Sequence, residues 1–167
     1  MADDPLVALA ARLGERCLAL EVQIATVESC TGGLIGHAIT EIPGSSRYYL
    51  GGFVTYSDQT KQSMVGVPAE ILEAHGAVSA QTAVAMAAGG RERTKAQIGL
   101  SVTGIAGPDG GSPAKPVGLT YVAVVDAAGS EVRRFIWTGS REENKRASAA
   151  AALQLALERM AAPAVRS

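Results

Sequence analysis

The sequence predicts a three-layer α/β/α domain around a mixed sheet of about five strands. Three observations carry this. Apolar residues recur at helical spacing in the first and last stretches of the chain. Short β-branched runs alternate with helical segments through the first hundred residues. Two strand-like runs near the end are joined by a tight turn, as in a hairpin. The order is helix, strand, helix, strand, helices, three strands, helix, with no internal repeat and no linker. A chain of 167 residues suits one domain with a substantial core.

Asp4-Pro5 opens the first helix, an N-cap acid followed by proline at the first helical position. Leu6, Leu9, Leu13, Cys17 and Leu20 give it one apolar face. Residues 21–27 read as a buried strand. Leu34, Ile35, Ala38 and Ile39 begin a second helix. Pro43-Gly44-Ser45-Ser46 ends it in a turn. Residues 47–56 are strand-like, and Gly51-Gly52 signals a bulge or close backbone approach. Residues 57–66 are polar and read as a loop with one helical turn. Pro68 opens a short helix over 69–75 that Gly76 closes, and Ser79 caps another to about Gly90.

Ile98, Leu100 and Val102 alternate with Gly99, Ser101 and Thr103, predicting a strand that ends at Thr103-Gly104. Residues 105–116 form a Gly/Pro-rich loop, of a length usually kept for function or disorder. Residues 117–125 and 131–138 are the strands of the hairpin, the second more charged and nearer an edge. Ser140 and Glu143 form a capping box for the last helix. That helix carries Ala150, Leu153, Leu157 and Met160 on one face, and Pro163 ends it.

A net charge of −1, 4% aromatic residues and no basic cluster argue against a nucleic-acid partner. The N-terminus is acidic and lacks a signal peptide's basic region, and no apolar run reaches membrane length, so the cytosol is the expected compartment. Two cysteines, Cys17 on an apolar helix face and Cys30 in a turn, suggest free thiols rather than a disulfide. Two histidines and two cysteines, scattered, supply no metal-ligand spacing.

The chemistry gathers at Glu28-Ser29-Cys30-Thr31-Gly32-Gly33, a strand-to-helix turn of the kind that open α/β sheets use for ligands. Ser29 reads either as a nucleophile or as an N-cap serine. Cys30 reads as a thiolate activated by the helix terminus or as a packed residue. Glu28 reads as a base or as a strand-end carboxylate. Gly32 and Gly33 offer backbone N–H groups at the positive end of a helix. Neither His37 nor His75 is compelling as a partner for Ser29, so a hydrolase here needs another base. Lysine is the candidate, because burial lowers its pKa. Lys61 lies close after Tyr56, in a segment that otherwise reads as a solvated loop beside an edge tyrosine. The loop after Thr103-Gly104 adds a second run of backbone donors.

Taken together, Val27-Glu28-Ser29-Cys30-Thr31-Gly32-Gly33, Pro43-Gly44-Ser45-Ser46, Gly51-Gly52-Phe53-Val54-Thr55-Tyr56-Ser57 with Lys61, Gly76-Ala77-Val78-Ser79, and Thr103-Gly104-Ile105-Ala106-Gly107-Pro108 with Lys115-Pro116-Val117-Gly118 form an ordered set. The set, spanning about residues 6–160, resembles the CinA C-terminal domain family of nicotinamide-nucleotide amidohydrolases. The resemblance implies hydrolysis of the carboxamide of nicotinamide mononucleotide, giving nicotinate mononucleotide and ammonia. It implies a three-layer α/β/α fold, no metal or other cofactor, and a homo-oligomer. It sets the nucleophile on Ser29, its tyrosine and lysine on Tyr56 and Lys61, and a substrate-site threonine on Thr103. Lys61, directly or relayed through Tyr56, would take the Ser29 proton. Thr31, Gly32, Gly33 and Gly104 would line the substrate, and Arg141 would meet its phosphate. Two departures stand out. Longer family members carry an N-terminal domain resembling molybdopterin-binding proteins, whereas residues 1–167 read as the amidohydrolase domain alone. Gly139-Ser140-Arg141 stands where the family often has Gly-Asp-Arg.

Overall fold

A computed structural model describes residues 4–161. In chain order the elements are α1 (Pro5–Leu20), β1 (Ile24–Glu28), α2 (Leu34–Thr40), β2 (Tyr49–Val54), α3 (Asp58–Val65), α4 (Ala69–His75), α5 (Ala80–Thr94), β3 (Ile98–Gly104), β4 (Leu119–Asp126), β5 (Gly129–Ile136) and α6 (Arg141–Ala161). A short 3-10 turn, Ser45–Arg47, precedes β2. The sheet order is β2-β1-β3-β4-β5. β1 runs parallel to both β2 and β3, and β4 and β5 add antiparallel. The sheet is therefore mixed and five-stranded, with β5 at an edge as its charge suggested.

Helices α1, α2 and α6 cover one face, and α5 with α3 and α4 covers the other. Leu13, Ile35, Ile39, Leu100, Val102, Val122 and Leu153 join in the larger core. Val27, Val65, Val67, Leu72 and Met86 form the smaller one under α3 and α4. The alternation in β3 is real, yet both of its faces are buried. Ile98, Leu100 and Val102 enter the larger core. On the other face Ser101 Oγ donates to the Ala83 carbonyl at 2.5 Å and Thr103 Oγ1 to the Ala77 carbonyl at 2.7 Å. These bonds satisfy hydroxyls that burial would otherwise leave costly.

Local signals explain most element boundaries. Asp4 accepts from the Leu6 amide at 2.9 Å and so caps α1. Ser140 and Glu143 form the expected reciprocal cap of α6. The Gly51-Gly52 pair does mark a bulge: Ile24 opposes Tyr49 while Ala25 opposes Gly51, leaving Leu50 extra.

Three expectations change. Residues 58–65 are a two-turn helix rather than a loop. Thr60 takes the role usually held by Glu or Gln, its hydroxyl accepting from the Ser57 amide while Ser57 Oγ accepts from Thr60 N. Helix α5 runs past Gly90 to Thr94. The buried face of α6 is centred on Ala149, Ala152, Leu153 and Ala156, with Ala150 and Leu157 only partly covered. Pro163 lies outside the described residues.

Helix α3 is held against α5 by a missing side chain. A Cβ on Gly89 would lie 1.8 Å from the Val65 carbonyl oxygen. Gly89→Ala must push α3 away, and overpacking of this kind destabilises by about 1–3 kcal/mol. Thermal melts should show a lowered Tm, by roughly 2–4 °C for each kcal/mol in a chain of this size.

Candidate active site

β1 lies between β2 and β3, so its carboxyl end is flanked by two parallel neighbours. Ser29 follows it directly, its amide donating to the Val102 carbonyl of β3 at 3.0 Å. The turn then closes on itself. The Gly32 amide donates to the Ser29 carbonyl at 3.0 Å and the Leu34 amide to the Thr31 carbonyl at 3.2 Å. Gly32 and Gly33 sit at φ +63° and +102°, a left-handed backbone that a side chain would strain. Gly33 is the N-cap of α2 and supplies no side-chain cap. Ser29 is therefore not the capping serine that its position allowed. Its hydroxyl is free for another partner.

That partner is Lys61. Its Nζ donates to Ser29 Oγ at 3.1 Å and to the Thr55 carbonyl at 2.8 Å. Only 1% of Lys61 is exposed. The Thr55 amide in turn donates to the Glu28 carbonyl at 2.8 Å, which ties the end of β2 to the end of β1. Burial pushes the Lys61 pKa below its ordinary 10.5, while Asp58 and Cys30 oppose the shift. A lysine so placed is brought toward the neutral form that can accept a hydroxyl proton.

The other residues singled out in the sequence take different stations. Tyr56 is 61% exposed. Its hydroxyl accepts from Arg141 Nη2 at 3.1 Å, and Arg141 Nη1 donates to the Gly107 carbonyl at 2.8 Å. Tyr56 and Arg141 thus form a rim, and the direct Lys61–Ser29 contact makes a relay through Tyr56 unnecessary. The Thr31 hydroxyl donates to Glu28 Oε1 at 2.7 Å, and the Thr103 hydroxyl is held by Ala77. Both threonines are buried with their hydrogens engaged inside the protein. Gly104 packs where a Cβ would meet Thr120 Oγ1, the Leu119 carbonyl and Cys30 Sγ. Of the two turn glycines, Gly32 has its amide in the turn. The Gly33 amide has no acceptor among the described residues.

Cys30 belongs to the larger core and is 6% exposed. Burial, reinforced by the Glu28 charge, pushes its thiol up to about 12. Desolvation thus outweighs the helix-terminus effect, and the thiolate reading falls. Cys17 is likewise a free buried thiol, raised to about 11 by burial. His37 and His75 are exposed, and neither bonds Ser29 or Lys61. Among the described residues no group of three or more His, Cys, Asp or Glu could hold a metal ion, and no helix is long and apolar enough to cross a membrane.

Two residues of α6 were not foreseen. Asn144 is buried, donating to the Ala106 carbonyl and accepting from the Gly139 amide, both at 3.0 Å. It fastens the start of the Gly/Pro-rich loop to the helix. Lys145 lies one turn beyond Arg141, with Nζ 3.9 Å from where a Cβ on Gly32 would stand. Leu34, Arg141, Glu142, Lys145 and Arg146 line a cavity of about 360 Å³ beside the turn. Arg146 is paired with Asp4, whereas Lys145 has no ion pair among the described residues. The i, i+4 spacing of Arg141 and Lys145 was the available signal. A larger cavity of about 610 Å³, bounded by Val65, Ile71, Ala85 and Arg93, includes neither Ser29 nor Lys61.

Comparison with known proteins shows the family and the fold. The family model for the CinA C-terminal domain matches residues 6–160. A CinA-like protein of Citrifermentans bemidjiense is 54% identical over 119 residues, covering 71% of this chain and 29% of that protein. Another from Gemmatimonas aurantiaca is 46% identical over 158 residues, covering 95% and 35%. The chain thus spans about a third of the length of the curated relatives it matches. Among solved structures, the competence/damage inducible protein CihA from Agrobacterium tumefaciens is 42% identical with a TM-score of 0.90, covering 94% of this chain and 96% of that one. A CinA superfamily protein from Klebsiella pneumoniae is 30% identical with a TM-score of 0.91, covering 95% and 99%. With the family model covering nearly every described residue, the chain belongs to the CinA C-terminal domain family.

Proposed function

We propose that this chain hydrolyses the carboxamide of nicotinamide mononucleotide to nicotinate mononucleotide and ammonia through an acyl-enzyme on Ser29. One observation carries the reading: a buried lysine amine stands 3.1 Å from a hydroxyl that caps no helix. A module that only bound phosphate would not need a desolvated amine on a serine.

Neutral Lys61 Nζ accepts the Ser29 proton as Oγ attacks the carboxamide carbon. The carbonyl π bond opens onto oxygen, and the Gly33 N–H is the turn amide available to that oxyanion. One such donor is worth about 3–4 kcal/mol. The tetrahedral species collapses, the C–N bond breaks, and Lys61 returns the proton to the departing ammonia. Water then attacks the acyl carbon as Lys61 takes its proton; the C–Oγ bond breaks, Lys61 returns that proton to Ser29 Oγ, and the acid leaves and ionises in solvent. The Thr55 carbonyl keeps the amine aimed at Oγ throughout. Arg141 and Lys145, across the turn, supply the positive charge for the substrate phosphate.

Ser29→Ala should lower ammonia release by several orders of magnitude while calorimetry still detects nucleotide binding. Retained turnover would overturn the serine mechanism.

The rate should follow the free-base fraction of Lys61, so kcat/KM should rise with pH along an ionisation below the ordinary lysine range. The same shift costs stability. The unfolded chain holds this proton more tightly than the folded one, so the penalty is full below the folded pKa and fades as pH rises toward 10.5. Lys61→Met should therefore abolish ammonia release yet raise Tm at pH 7, with the gain shrinking in alkaline buffer.

Lys145→Ala should raise KM for the mononucleotide by roughly tenfold, the scale of one charged hydrogen bond, with kcat little changed. The corresponding riboside, lacking phosphate, should not register the substitution. Equal effects on both substrates would separate Lys145 from phosphate.

A further inference from the structure

Glu28 ends β1 and immediately precedes the nucleophile, and the chemistry above makes no use of its side chain. The carboxylate is 2% exposed. Three donors converge on it from the following turn and helix. Thr31 Oγ1 and the Ile35 amide reach Oε1 at 2.7 and 2.8 Å, and the Gly36 amide reaches Oε2 at 3.0 Å. Among the described residues it has no ion-pair partner. A buried carboxylate without a cation is costly unless hydrogen bonds and a helix terminus hold it, and here both do. Gly33 gives α2 no side-chain cap, so Glu28 acts as that cap from the preceding strand. The absence of a side chain at Gly36 lets the helix approach closely: a Cβ there would lie 2.8 Å from the Tyr49 hydroxyl and 3.6 Å from Glu28 Oε2.

The amides that would make α2 an external anion site are thus engaged from within. The carboxylate also spans the segment that must stay still. Glu28 lies on one side of Ser29 and Cys30, and its three donors lie on the other. We propose that Glu28 is a positioning residue whose acceptor-only carboxylate clamps residues 29–33, keeping Ser29 Oγ on Lys61 Nζ and Cys30 in the core. The kinetic consequence rests on the deamidase reading, whereas the clamp itself does not.

An amide cannot replace the carboxylate. Glutamine offers one acceptor oxygen and an NH2 group, so either the Gly36 amide or the Ile35–Thr31 pair would face a donor. A donor left unpaired in the interior strains the turn locally rather than unfolding the domain. A displacement of the nucleophile by about 1 Å can cost on the order of 100-fold in rate.

The test compares wild type, Glu28→Gln and Thr31→Val by three measurements. These are ammonia release from nicotinamide mononucleotide, iodoacetamide alkylation of each cysteine read by peptide mass spectrometry, and thermal melting. For Glu28→Gln the clamp predicts a kcat lower by on the order of 100-fold with KM nearly unchanged. It also predicts faster alkylation of Cys30 with Cys17 still protected. Thr31→Val, which removes one of the three donors, should show the same pattern more weakly and decides the matter if Glu28→Gln does not fold. Wild-type kcat with Cys30 still protected in a folded variant overturns the proposal. So does equal exposure of both cysteines with activity tracking the folded fraction. A wild-type protein that releases no ammonia overturns the deamidase reading instead, and the cysteine pattern alone then decides the clamp.

Discussion

The contact on which the site depends is the buried amine of Lys61, held between the Ser29 hydroxyl and the Thr55 carbonyl. A lysine in that setting is a liability for the fold, since burial disfavours its charge. The protein surrounds it with specific contacts. Thr55 and Ser29 take its hydrogen bonds, α3 is capped at Ser57, and the bare Gly89 lets α5 press against the end of α3. The stability given up at one side chain is recovered in the two cores on either side of the sheet. Desolvation concentrated at one polar pair within a well-packed frame is the pattern expected of a catalytic centre.

The turn at Ser29 divides labour between neighbours in the chain. Adjacent strand residues point to opposite faces, and the turn extends that alternation. Glu28 looks toward α2, Ser29 toward α3 and Cys30 into the larger core. Three chemically reactive side chains in sequence therefore have three separate environments. Serine has the Lys61 amine, cysteine has the desolvation that keeps its proton, and glutamate has the helix amides. Under the proposed mechanism, the environment more than intrinsic nucleophilicity favours the hydroxyl over the thiol.

Much of this was readable before the coordinates, and the misreadings have a common cause. Periods of apolar residues gave the layers, and glycine, proline and serine marked most boundaries. Ser29 and Lys61 were identifiable by residue type. What eluded the sequence was which acceptor each polar group would find. Thr103 finds Ala77, and Tyr56 finds Arg141, 85 residues away. Local spacing carries no trace of such pairings. Residues 57–66 looked like loop because the helix there is polar and short, and its cap uses Thr60 in place of the usual acid. Cys30 shows the same point in electrostatics: of the two readings its position allowed, an activated thiolate or a packed residue, tertiary burial decides for the second.

The change from parallel to antiparallel pairing at β4 has a consequence for the site. β3 arrives at the same pole as Ser29, and β4 departs from that pole, so residues 105–118 leave and return at one end of the sheet. The segment never has to cross the domain, as a parallel connection would. It is pinned by Arg141 and Asn144 near its root and by Lys115 to the His75 carbonyl near its return. Its tip, residues 108–114, is solvent-exposed and lies outside the ladder. Changes in length or composition there need not disturb strand register. The fold thus leaves an exposed segment at the Ser29 end of the sheet free to vary while the strands that position the turn stay fixed.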